Sequence, residues 1–269
     1  MLADLWYQTI DAIDGKQARR TDNCSPLGQI LDHNLDQITF TCMMVHVSST
    51  LRIESDIIRI LMITPGVMSA HYSIEYRTHF THMHQTVIGL IGATEQLLVI
   101  QAITLSCSIY SNEILQTPLT IPFIDYVTNG KDLVVIFAFV TGIHYNCENM
   151  IVAFMAAKDK AYAFGCILPY AQFFLMMYLS SFSQLYTEYT VYFIVLCGFY
   201  LTWVTAIFNL DSTASAKFNW IFFEPLIFYV IVWFDYTGVL PRSYARTAYI
   251  NFFMLTLVRY LLLMRNIVN

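Results

Sequence analysis

The chain has 269 residues, 57% of them hydrophobic and only 12% charged, where a soluble domain carries about 25%. Its mean hydropathy is +0.54 and its formal net charge is −5. These values exclude an ordinary soluble enzyme, argue against nucleic acid as a partner, and predict an all-α polytopic membrane protein with one membrane domain spanning residues 1–269.

The first segment, residues 1–14, reads as the second half of a helix. At 1.5 Å per residue it covers about 21 Å, short of the roughly 30 Å of a bilayer core. The expectation is a truncated N-terminal helix, either because the protein is reduced there or because the sequence is incomplete upstream. A polar, basic connection follows, holding Lys16, Arg19 and Arg20. The next helix spans residues 25–51, with Ser25 as its cap and Pro26 in its first position.

A short polar turn over residues 52–56 leads to a span over 57–76, interrupted by Pro65 and Gly66. Apolar runs then predict helices over 85–110, 132–157, 161–181, 189–210, 219–239 and 245–267, about eight spans after the truncated one. Residues 111–131, with Pro118, Pro122, Asn129 and Gly130, read as the longest loop. The six cysteines show no CxxC pair or zinc spacing, and read as packing residues. Of the lysines and arginines, eight fall on the side of the Lys16 connection and five on the other, with Arg259 inside the last helix. That bias puts the connection on the cytoplasmic side.

The stretch from Asp11 to Asp36 carries the chemistry. It reads D-x2-D-G-x2-A-R-x8-G-x3-D-x3-D, with Asp11, Asp14, Gly15, Ala18, Arg19, Gly28, Asp32 and Asp36 at the fixed positions. Residues three or four apart share a helix face, so Asp11 pairs with Asp14 and Asp32 with Asp36. Four clustered carboxylates repel one another unless a cation lies between them, and hard oxygen ligands suit Mg²⁺, Mn²⁺ or Ca²⁺. Arg19 can fork onto phosphate oxygens. Gly15, Ala18 and Gly28 are small enough for a ligand to approach the backbone. The features describe a pocket for a metal-bound pyrophosphate. The alternative is a pair of solvated acidic patterns on ordinary helices. It is disfavoured because the helix carrying Asp32 and Asp36 continues as the apolar ITFTCMMVHV, where each acid costs about 2.5 to 3.5 kcal/mol.

This pattern resembles the signature of the CDP-alcohol phosphotransferases at all eight positions. The flanking YQTIDAIDGKQARRT and SPLGQILDH are similar to the eukaryotic choline and ethanolamine phosphotransferase branch, with Asn34 where that branch usually has glycine. The resemblance implies transfer of phosphocholine or phosphoethanolamine from CDP-choline or CDP-ethanolamine to diacylglycerol, releasing CMP, in phospholipid synthesis. It implies Mg²⁺ or Mn²⁺, two ions, held by Asp11, Asp14, Asp32 and Asp36, with Gly15, Ala18, Arg19 and Gly28 bordering the nucleotide. It implies a general base at Asp36 or at Glu95, whose setting Gly92-Ala93-Thr94-Glu95 looks similar to the branch. Residues 1–110 would be the catalytic core and 111–269 the remaining helices, in the endoplasmic reticulum or Golgi, with a homodimer or larger membrane complex left open.

Two rivals stand beside this reading. Membrane prenyltransferases also arrange Asp-rich helices around Mg²⁺ and pyrophosphate, but do not need Gly15, Ala18 and Arg19 at these offsets. A non-catalytic relative could hold lipid as a structural subunit of a larger membrane complex, in the mitochondrial inner membrane for example; the short first helix and Asn34 motivate it. Elsewhere, His79, His82 and His84 offer either a metal cluster or an interfacial polar segment. His144 and Glu148, four apart, could pair with each other or line the cavity. Glu224 and Asp235 sit in apolar runs without a motif.

Overall fold

The computed structural model describes residues 2–53, 55–84, 87–88, 91–121 and 126–268. Helix α1 covers Leu2–Arg20, α2 Pro26–Thr50, α3 Ile57–Val67 and α4 Ala70–Thr81. Strands β1 (Val87–Ile88) and β2 (Ile91–Gly92) form a minimal antiparallel pair before α5 (Ala93–Tyr110). A 3₁₀ turn over Asn112–Leu115 leads to the hairpin of β3 (Pro118–Ile121) and β4 (Tyr126–Asn129). Helices α6 (Gly130–Ala156), α7 (Lys160–Gly165), α8 (Leu168–Ser180), α9 (Thr190–Thr213), α10 (Glu224–Tyr236) and α11 (Arg242–Val268) complete the chain.

Among the described residues four stretches are long and apolar enough to cross a membrane: α6, α7 with α8, α9, and α11. A fifth is added if α3 and α4 count as one bent span. This is fewer than the eight spans expected, although every expected segment contains a helix. α10 has 13 residues and α2 carries too much polarity, and in α5 the side chains are described only from Leu98 to Tyr110. The two short antiparallel pairs depart from the all-α expectation, and the second occupies the region read as a long loop.

Two further boundaries differ. α1 does not end near Asp14 but runs to Arg20, so it is about 28 Å long rather than 21 Å. Lys16, Gln17, Ala18, Arg19 and Arg20 are all good helix formers, and they outweigh the roughly 1 kcal/mol cost of Gly15. The helix stops at Asp22, whose φ is 55°. The basic residues are therefore helical, and the connection is only Thr21 to Ser25.

The other difference is the break between α3 and α4. Pro65 lies inside α3, the two helices meet at a 41° bend, and Met68 and Ser69 separate them. Helix breaks in apolar surroundings persist only if the freed backbone groups find partners. Gln37 on α2 supplies one, its Nε2 donating to the Met68 carbonyl at 3.0 Å. Asn146 on α6 supplies another, its Nδ2 donating to the Pro65 carbonyl at 2.9 Å.

α9 is the axle of the bundle, packing on α2, α4, α8 and α11. Close approach depends on small residues: a Cβ on Gly198 of α9 would stand 2.3 Å from Thr41 Cγ2 on α2, and one on Gly142 of α6 would stand 2.3 Å from the Gly66 nitrogen on α3. Tyrosine hydroxyls fix the rest, Tyr72 donating to the Cys166 carbonyl at 2.6 Å and Tyr76 to that of Ala163 at 3.0 Å. α2 is thereby held against α9 along its length.

Candidate active site

α2 begins with a complete cap. Ser25 Oγ accepts from the Gly28 nitrogen at 3.0 Å and Pro26 opens the helix. A Cβ on Gly28 would meet that same Oγ at 3.2 Å, so the small residue keeps the cap tight as well as leaving room. From this start, Asp32 and Asp36 follow one turn apart on α2.

On α1, Tyr7, Asp11, Gly15 and Ala18 fall on one face by the i, i+4, i+7 rule. That face meets α2. Tyr7 donates its hydroxyl to the Asp36 carboxylate, and carboxylate oxygens of Asp11, Asp32 and Asp36 all lie within 4.8 Å of one another, each residue partly buried. Gln101 on α5 donates to Gln8 on α1 at 2.8 Å, bracing the helix from its other side.

Asp14 is exposed and flanks the triplet, accepting from the Gly15 nitrogen beside it while its carboxylate lies against that of Asp32. Arg19, also exposed, curls back so that its guanidinium lies 3.5 Å from where a Gly15 Cβ would be. The mouth of the site thus holds one fork-shaped cation and one further carboxylate, above three carboxylates deeper in. Three converging oxygens, partly shielded from water, are a donor set that a hard divalent cation fits. Without a cation, among the described residues, only the Tyr7 hydroxyl and the neighbouring His33 offset their mutual repulsion.

Sequence reasoning missed a second cluster next to the first. Glu75 on α4 is 1% exposed, and its Oε1 lies 2.7 Å from His33 Nδ1, 3.9 Å from His71 Nε2 and 3.9 Å from His84 Nδ1. The His33 and His84 rings stack with centroids 4.7 Å apart. Burial, with His33 beside it, holds the His84 imidazole below its ordinary pKa. The spacing of His71 and Glu75, four apart, was a signal available in the sequence. That of His33 with His84 was not, since it depends on α2 meeting the end of α4.

The remaining expectations divide. His79 turns away to Tyr162, 3.1 Å from its hydroxyl, and His82 caps α4 in the left-handed region, so the three histidines do not form one cluster. His144 and Glu148 approach to 3.8 Å on the outward face of α6, 71% and 37% exposed, away from the interior. Glu224 pairs with Arg259, while Asp235 accepts from Ser183 at 2.5 Å and from Tyr249 at 3.0 Å. Asn34 is buried and reaches Met264 Sδ on α11 at 3.7 Å. The Glu95 side chain lies outside the described residues.

An apolar cavity of about 340 Å³ opens farther along α2, lined by Val47, Leu51, Ile63, Ile103, Phe137 and Ala138 among others. It starts eleven residues beyond Asp36, about 16 Å along the helix.

Residues 5–123 match the model of the CDP-alcohol phosphatidyltransferase family. Cholinephosphotransferase 1 of Bos taurus is 53% identical over 47 residues, which are 18% of this chain and 12% of that protein. Cholinephosphotransferase 1 of Homo sapiens gives the same identity and coverage. Uncharacterized CDP-alcohol phosphatidyltransferase class-I family protein 3 of Dictyostelium discoideum is 33% identical over 110 residues, 40% of this chain and 27% of that protein. The matched stretches therefore span between about an eighth and a quarter of these relatives.

Proposed function

We propose, from the match of residues 5–123 to the CDP-alcohol phosphatidyltransferase family in a chain with membrane-length apolar helices, that this chain transfers a phosphoaminoalcohol from CDP-choline or CDP-ethanolamine to the hydroxyl of a diacylglycerol. The observation that carries the reading is the convergence of Asp11, Asp32 and Asp36 from two helices. Carboxylates of that kind at the mouth of an apolar bundle cost folding energy and are explained by a charged ligand.

Asp11, Asp32 and Asp36, with Asp14 at the rim, would hold Mg²⁺ or Mn²⁺. When bound, such ions neutralise pyrophosphate charge and favour departure of the nucleotide. Arg19 would clamp phosphate oxygens through its fork. Gly15, Ala18 and Gly28 leave the backbone accessible to the nucleotide. The acceptor oxygen forms a bond to the β-phosphorus as the bond from that phosphorus to the bridging oxygen breaks. CMP leaves, and the hydroxyl proton passes to a carboxylate, Asp36 or Glu95. The apolar cavity beyond Asp36 would take an acyl chain of the acceptor. Residues 1–110 would supply the chemistry, with α9 and its neighbours as the support on which α2 and α4 pack.

The test is CMP release by the purified full chain in detergent micelles, with each CDP-alcohol and diacylglycerol. Turnover with either donor supports the reading. A folded protein that binds Mg²⁺ and releases no CMP from either would overturn it in favour of a lipid-holding structural role.

A further inference from the structure

The carboxylates gather toward one end of α2, and a polar pocket of opposite charge lies at the other. It has a volume of about 600 Å³ and is lined by Arg52, Ser55, Asp56, Arg59, Gln116 and Lys131, with Ile53. Arg52 follows Asp36 by sixteen residues, about 24 Å at 1.5 Å per residue. We infer that this pocket binds the phosphate of an anionic phospholipid, at the membrane face opposite the carboxylates. It would do so whether or not the chain is a transferase.

Three cations from three elements meet here: Arg52 just past the end of α2, Arg59 in the first turn of α3 and Lys131 in the first turn of α6. Arg59 is taken up by the two neighbouring acids, its Nε donating to Asp132 at 2.8 Å and its Nη1 to Asp56. Arg52 and Lys131 have no carboxylate within ion-pair distance among the described residues. Two unpaired cations therefore face the pocket, and Ser55 adds a hydroxyl donor. Guanidinium and ammonium groups are the donors that hold phosphate oxygens.

The backbone of Arg52 gives a second, independent sign. α2 ends in a Schellman turn, with the Arg52 nitrogen donating to the Ser49 carbonyl at 3.1 Å and the Ile53 nitrogen to that of Ser48 at 3.0 Å. Arg52 thus takes the left-handed position, φ 49°, that glycine usually fills. Its exposed side chain does nothing for the turn. A strained backbone carrying a long cation is explained by what the cation holds.

The surroundings select a lipid over a free anion. α6 is long and apolar enough to cross a membrane, and Lys131 is its second residue, so the pocket stands at the level of lipid headgroups. Exposed Ile58, next to Arg59, and exposed Leu133 and Ile136 on α6 flank it with apolar surface for acyl chains. A free phosphate would use the cations and leave that surface bare. The two unpaired cations also favour a net-negative headgroup over a zwitterionic one, whose ammonium they repel.

The full chain in detergent micelles, stripped of lipid and kept in chelator so that no divalent ion bridges carboxylate and phosphate, is titrated with phosphatidic acid, phosphatidylcholine or inorganic phosphate. Bound lipid is counted by native mass spectrometry. One phosphatidic acid per chain is expected above the phosphatidylcholine level, with no saturable uptake of inorganic phosphate in the same concentration range. Arg52→Gly and Lys131→Gln should each weaken retention about fivefold, and together more than about tenfold. Lys217→Gln, at an exposed lysine outside the pocket, should change nothing. Arg52→Gly should melt no lower than the parent without lipid, because glycine suits the left-handed turn, so lost binding in that variant is not lost folding. Equal retention of the two lipids, unchanged retention in the double variant, or an equal loss in Lys217→Gln overturns the inference. Inorganic phosphate held as tightly as phosphatidic acid overturns the assignment to a lipid. No CDP-alcohol enters the readout, so failure here leaves CMP release untouched, and failure of CMP release leaves lipid retention untouched.

Discussion

Tyr7 on α1 donates its hydroxyl to Asp36 on α2, and this bond joins the first helix to the carboxylate triplet. A hydrogen bond to a charged group contributes about 1.5 to 3 kcal/mol. Tyr7→Phe should therefore lower stability by about 2 kcal/mol, measured by thermal melting in micelles without divalent ions. An unchanged melting temperature would mean that α1 is held by packing and by the Gln8–Gln101 hydrogen bond instead.

Divalent-ion removal should abolish turnover. Chelated protein is expected to release no CMP, and Mg²⁺ or Mn²⁺ should restore it, because oxygen donors suit both. Full activity in excess chelator would remove the ions from the mechanism.

The double change Asp32→Asn and Asp36→Asn should eliminate CMP release while leaving the melting temperature close to that of the parent, because relief of repulsion offsets the weakened bond from Tyr7, which an amide oxygen still accepts. Two repelling charges are lost and side-chain volume is preserved. Loss of folding, with no metal added, would show that the carboxylates serve the structure directly.

Arg19→Lys keeps the charge but loses the planar fork. The apparent KM for the CDP-alcohol should rise about tenfold, equivalent to roughly 1.4 kcal/mol of lost binding. An unchanged KM would confine Arg19 to the end of α1.

Gly142→Ala tests the crossing of α3 and α6. The added Cβ would fall 2.3 Å from the Gly66 nitrogen and 2.6 Å from the Pro65 carbonyl carbon, both backbone atoms that cannot rotate away. Overpacking of this kind costs about 1 to 3 kcal/mol. The variant should melt lower than the parent, whereas equal stability would mean that the two helices separate freely.

Much of this was legible because hydropathy and spacing are local properties. The apolar runs marked helices, Ser25 and Pro26 marked the start of α2, and the offsets of Asp11, Asp32 and Asp36 put them on facing stripes. The exposed position of Asp14 was not legible, since the same spacing allows either side of α1 to meet α2. The end of α1 was not legible because the polar, basic residues after Gly15 look like a connection, yet they are good helix formers that carry the helix to Arg20. The break after Pro65 was half read: the residue signalled an interruption, but the partners that make it tolerable, Gln37 and Asn146, lie 28 and 81 positions away in sequence. Glu75 went unnoticed for a similar reason, its partners coming from three segments.

Asp36 and Gln37 are consecutive on α2, and a helix turns about 100° between them, so one points to α1 and the other to the break at Met68. Neighbouring residues thus grip two different elements. If α2 rolled about its own axis, it would release Tyr7 and strand the Met68 carbonyl in the same motion. The carboxylate end of α2 and the break in the bent span are therefore set by the orientation of a single helix.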